Sequence, residues 1–167
     1  MVLLMHGLAG CHLSPYLVRI SSKLFDRGMR TFRLDLRGCG AGQRLARLPY
    51  NAGRSGDVSA ALQHLIRLCP ESSIGLVGFS LSGNIALKML GESEAQLPPQ
   101  LARAMAVNPS IALEACVRGL QRGVNRIYDW HFTRLLHRSV MQRLEFFPDA
   151  MMSSLNFQPP IIVTYLI

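Results

Sequence analysis

Hydrophobic residues in this chain fall into short unbroken runs that alternate with longer stretches where they recur every three or four positions. Val2 to Met5 is an apolar run closed by His6, Gly7, Leu8, Ala9 and Gly10, the pattern of a buried parallel strand opening into a glycine-rich turn. Ser14 and Pro15 predict a helix start, with Tyr16, Leu17, Ile20, Leu24 and Phe25 as its apolar face and an end near Gly28. Met29 to Leu36 predicts a second strand, Phe32 and Leu34 facing opposite to Arg33 and Asp35. A loop rich in glycine and arginine follows from Arg37 to Pro49. Asp57 is then expected to cap a helix whose Val58, Ala61, Leu62, Leu65, Ile66 and Leu68 face a core.

The stretch from Ile74 to Leu90 repeats this unit in sharper form. Ile74, Gly75, Leu76 and Val77 run into the corner Gly78-Phe79-Ser80-Leu81-Ser82-Gly83, and Leu81, Ile85 and Met89 then recur every four residues. Such a corner lifts a serine above the end of a parallel strand. Ser93 to Gln100 reads as a linker and Ala102 to Val107 as a fourth strand. The alternation predicts an α/β fold, a parallel sheet covered on both faces and joined by right-handed crossovers. From Leu113 to Phe147 the pattern is helical throughout, with Leu113, Cys116, Val117 and Leu120 on one face and Phe132, Leu135, Leu136, Val140 and Leu144 on another. Arg118, Arg122 and Arg126 make a solvated face. In a sheet enzyme such a segment either caps the site or packs on the sheet edge. Ile161 to Ile167 is a last β-branched run.

Composition narrows the classes. At 167 residues with 49% hydrophobic content, the chain suits one domain with its own core. The net charge of +8 invites a nucleic-acid reading, but the arginines are scattered from Arg19 to Arg143 without a basic run or interleaved aromatics, so no nucleic-acid partner is expected. Cys11, Cys39, Cys69 and Cys116 lack the close spacing of zinc sites and read as free thiols in a reducing, cytoplasmic setting. No signal peptide or transmembrane run is recognised. No metal or cofactor is expected: there is no His-Glu-x-x-His, the turn from Gly7 to Gly10 lacks the lysine of a phosphate loop, and no helical pattern follows Gly38, Gly40 and Gly42.

The segments His6-Gly7-Leu8, Ser14-Pro15-Tyr16, Arg37-Gly38-Cys39-Gly40 and Gly78-Phe79-Ser80-Leu81-Ser82-Gly83-Asn84, in that order, resemble the α/β-hydrolase superfamily and more narrowly its YheT-like esterase branch. The resemblance covers about Val2 to Asp149, including Asn125-Arg126-Ile127-Tyr128. It implies an α/β-hydrolase fold over residues 1–149, a mostly parallel sheet of eight strands in the family at large, a helical cap-like segment at 113–147 and an atypical tail at 150–167. It further implies a carboxylic-ester hydrolase with Ser80 as nucleophile. The backbone amides of Leu8 and Leu81 form the oxyanion hole, and His6, Gly7, Gly78, Ser82 and Gly83 are supporting turn residues. The substrate is then a small, lipid-like ester.

The family also places strands ahead of Val2 and a catalytic aspartate and histidine after the cap, so the chain reads as a hydrolase truncated at both ends, with impaired turnover. The rival is a non-catalytic hydrolase-like domain binding an apolar ligand or a partner protein. An exposed sheet edge would favour self-association. Ser82 stands where the family has a second glycine, and strain is expected there. A nucleophilic serine needs a base, and the five histidines are weighed for it. His6 shapes the oxyanion turn, His12 lies in a loop and His64 on a helix surface. His131, two residues after Asp129, and His137 read as partly exposed cap residues. Asp35 is expected to pin loop backbone.

Overall fold

The computed structural model describes residues 1–92 and 97–150. The run from Ile161 to Ile167, the first part of the linker and all of the tail except Ala150 lie outside the described residues. Four strands, β1 (Val2–Met5), β2 (Thr31–Leu34), β3 (Ile74–Phe79) and β4 (Leu101–Val107), form one sheet in the order β2-β1-β3-β4. All three pairings are parallel, with Leu3 opposite both Phe32 and Leu76. Between the strands run α1 (Pro15–Phe25), α2 (Ser55–Leu68) and α3 (Leu81–Glu92). After β4 come α4 (Leu113–Leu120) and α5 (Arg126–Phe146). This is the architecture expected, a parallel sheet flanked by helices with a helical cap region after β4.

Right-handed crossovers put α1 on one face of the sheet and α2 with α3 on the other. The main core lies on the second face, where Leu3, Met5, Ile74 and Leu76 meet Val58, Leu62 and Leu65 of α2 and Ile85 and Met89 of α3, all buried. Val117 of α4 and Leu136 and Val140 of α5 belong to the same cluster, so the cap is anchored in the domain core.

Several expected faces turn out differently. Among the described residues the sheet is not covered on both faces throughout: residues 102–105 of β4 are exposed, Met105 by 60%, because β4 is there an outer strand whose helical packing comes chiefly from α3. Phe25 and Leu68 are exposed by 72% and 58%, each being the last residue of its helix. Cys116 is exposed as well. Asp57 does not cap α2, which starts two residues earlier at Ser55. Its carboxylate pairs instead with Arg37, whose Nε donates to Oδ2 at 2.7 Å. Among the described residues, no helix is long and apolar enough to cross a membrane.

Candidate active site

Among the described residues, three non-glycine residues hold a positive φ, and all three follow the carboxyl end of a strand: Ala9 at 57° after β1, Ser80 at 52° after β3 and Asn108 at 46° after β4. The left-handed region costs an L-residue about 1–2 kcal/mol, so surrounding contacts must hold each one there. In open parallel sheets this rim is where ligands bind.

Ser80 is held by its own peptide groups. Its N–H donates to the Val107 carbonyl at 2.9 Å, and its carbonyl accepts from Gly83 N–H at 2.9 Å and Asn84 N–H at 3.2 Å. The corner closes only because Gly78 lacks a side chain, since a Cβ there would run into the Ser82 carbonyl. A Cβ on Gly83 would lie 3.1 Å from the Gly78 carbonyl oxygen and 3.1 Å from Pro109 Cβ. The His6 turn lies directly against this corner: a Cβ on Gly7 would be 3.2 Å from Ser80 Cβ. The structure thus brings Ser80, Gly7, Leu8 and Leu81 to one place on the sheet rim.

His6 is fully buried and both of its ring nitrogens are engaged. Nε2 accepts from Leu36 N–H at 3.1 Å, which leaves the proton on Nδ1, 2.7 Å from the Gly7 carbonyl. Burial holds the imidazole pKa below the ordinary histidine value, so the ring is a neutral brace and no base. Gly7 N–H donates to Tyr16 Oη at 2.9 Å, and Ala9 N–H to Tyr50 Oη at 2.7 Å. Both tyrosines escaped the sequence reading as turn partners. By spacing Tyr16 belongs to an apolar face, and nothing local announces a phenol that closes a turn 9 or 41 residues away.

Ser82 corrects the expected strain. It lies inside α3, its φ is not among the positive ones, and the strained residue is Ser80 itself. Fully buried, the Ser82 hydroxyl donates to the His6 carbonyl and ties the serine corner to the His6 turn.

Two pockets meet at Ser80. One, of about 70 Å³, lies beneath the cap and is lined by Leu8, Leu81, Leu113, Val117 and Phe132 among others. The other, about 380 Å³ and more open, runs past Gly7, Tyr16, Phe79, Val107 and Asn108. Leu8, Ser80 and Phe132 border both.

Among the described residues, no histidine, aspartate or glutamate lines either pocket. Asp35 Oδ1 accepts from His12 N–H at 2.6 Å, while Oδ2 takes His12 Nδ1 at 2.6 Å and Ala41 N–H at 3.0 Å. Cys11, His12 and Asp35 bring ligand-type atoms within 4.8 Å of one another, a grouping the sequence spacing did not suggest. Hydrogen bonds to the carboxylate account for this cluster as a brace between two loops. The buried Cys39 thiol is pushed up to about 12, chiefly by burial, and is inert. His64, His131 and His137 are exposed, on α2 and α5.

The family model of the "alpha/beta hydrolase fold" matches residues 1–158. The chain is 30% identical over 147 residues to the "Putative esterase YheT" of Escherichia coli (strain K12), covering 87% of this chain and 42% of that protein. It is 28% identical over 139 residues to the "Embryogenesis-associated protein EMB8" of Picea glauca, covering 82% of this chain and 30% of that one. The chain therefore spans less than half the length of either relative.

Proposed function

The chain belongs to the alpha/beta hydrolase fold family, on its YheT-like esterase branch, and from that premise we propose that it is built for carboxylic-ester hydrolysis through Ser80. The observation that carries the reading is Ser80 at a positive-φ corner with the Gly7 turn packed against it. In a trans peptide the carbonyl and the following N–H point in opposite directions. The Gly7 carbonyl is drawn to the His6 ring, so the Leu8 N–H turns away from the ring. The Leu81 N–H is the first of α3, among the amides that a helix leaves without an intrahelical acceptor.

These two donors serve the negative charge that builds on an ester oxygen as Ser80 Oγ bonds to the carbonyl carbon. The C–O bond to the alcohol then breaks, the serine proton ends on the departing alcohol, and water reverses the steps to free the acid. We assign the general base to none of the five histidines. Without a paired base, oxyanion donors and binding still leave a residual rate. The expected result with a fluorophosphonate probe is slow labelling of Ser80, located by peptide mass spectrometry and absent in Ser80→Ala. An adduct only on other serines overturns the assignment.

Both nitrogens of His6 being engaged favours the second reading, a hydrolase-like domain that holds an apolar ligand without turning it over. It predicts ligand affinity indifferent to Ser80→Ala and no labelling. Under either reading, four free thiols suit a reducing compartment such as the cytoplasm, and the exposed β4 edge offers pairing to a second copy.

A further inference from the structure

We infer that the ester lies across Ser80 with a short acyl group in the enclosed pocket under the cap and a bulkier apolar alcohol in the open groove. This rests on Ser80 acting as nucleophile and says which substrates that site takes. Leu8 and Leu81, whose amides would hold the ester oxygen, both line the enclosed pocket, whereas Leu81 does not line the groove. The acyl group stays on Ser80 between the two steps, while the alcohol must leave and water must enter. The alcohol therefore belongs on the open side and the acyl group on the enclosed one.

Size sets the order. The pocket under the cap, about 70 Å³, is several times smaller than the groove, about 380 Å³, so the shorter chain of the ester goes under the cap. The lining of Leu113, Val117, Leu120 and Phe132 is apolar and selects hydrocarbon over polar substituents. The groove offers about 380 Å³ between Tyr16, Phe79, Val107 and Phe132, with Tyr16 and Phe79 in edge contact at 5.2 Å, so it accepts a much larger apolar alcohol.

Alkylphosphonofluoridates test the division directly, because phosphorus replaces the carbonyl carbon and the alkyl chain replaces the acyl chain. The Ser80 oxygen–phosphorus bond forms, the phosphorus–fluorine bond breaks, and fluoride leaves with the serine proton. With the intact chain, ethyl and propyl probes should label Ser80 at least tenfold faster than the octyl probe. Leu113→Ala, which opens the pocket wall at a half-buried position, should shift the optimum to longer chains, as should Val117→Ala. Octyl labelling as fast as ethyl overturns the size limit and leaves Ser80 as nucleophile. Failure of every chain length to label Ser80 overturns both.

Discussion

Ser82 and His6 show how much of this site rests on single side chains. The Ser82 hydroxyl donates to the His6 carbonyl across 76 residues of sequence, with both partners buried. Removing it strands that carbonyl, at a cost of about 1–3 kcal/mol. Ser82→Ala should lower unfolding stability by that much in urea, and Ser82→Gly by roughly a further 1 kcal/mol for glycine in a helix. A midpoint that does not move in either variant removes the tie from the account. His6 adds a pH dependence. Its pKa in the folded chain lies below the ordinary histidine value because of burial, whereas the unfolded ring takes up a proton near 6.5. Below that pH the unfolded state binds more protons. The stabilisation is therefore complete above about pH 6.5 and is lost as pH falls toward the folded-state pKa. Urea midpoints should drop between pH 7.5 and 5.5 with a steeper slope than in His6→Gln, and equal slopes would assign the effect to other groups.

At the level of elements, the cap is held to the loop after β2 by a contact that no local pattern announces. Arg143 of α5 is buried, and its guanidinium donates to the Gly38 carbonyl at 3.3 Å and the Ala46 carbonyl at 3.4 Å. Gly38 has φ +72°, and a Cβ there would fall on the Arg143 guanidinium. Gly38→Ala should cost about 1–2 kcal/mol for the left-handed backbone alone, and it should speed amide exchange in α5 because the displaced arginine releases that helix. Faster exchange confined to the loop would separate the two elements. The strands and the serine corner were legible beforehand because each is written in adjacent residues: an apolar run, then glycines bounding Ser80. Arg143 was not, because it sits in a helix rich in exposed arginines and only its partners, 105 and 97 residues away, distinguish it. The same holds for Tyr16, read as apolar cover and used as an acceptor for Gly7 N–H. Periodicity reports which side of an element is apolar. It does not report where cover ends: Phe25 and Leu68, the last residues of their helices, and Cys116 are exposed.

At the level of the whole molecule, two opposed features bear on the proposed pairing of β4 with a second copy. The net charge of +8 repels like copies, while β4 presents an exposed outer strand carrying Met105. Repulsion between exposed charges acts over about 10 Å at 0.1 M salt and only about 3 Å at 1 M, whereas strand pairing with apolar cover is not weakened by screening. Self-association should therefore grow with salt, the reverse of an assembly held by ion pairs. A lysine at the centre of an exposed strand opposes pairing with another edge, and position 105 has room for it because its side chain is already largely in solvent. Sedimentation velocity should show a larger share of dimer for the unmodified chain at 1 M than at 0.1 M salt. Met105→Lys should stay monomeric at both, with its urea midpoint within about 0.5 kcal/mol of the parent, as for an ordinary surface change. Dimer that falls with salt, or that persists in Met105→Lys, would place the contact away from β4, and the arginine-bearing faces of α4 and α5 would then be the surfaces to alter.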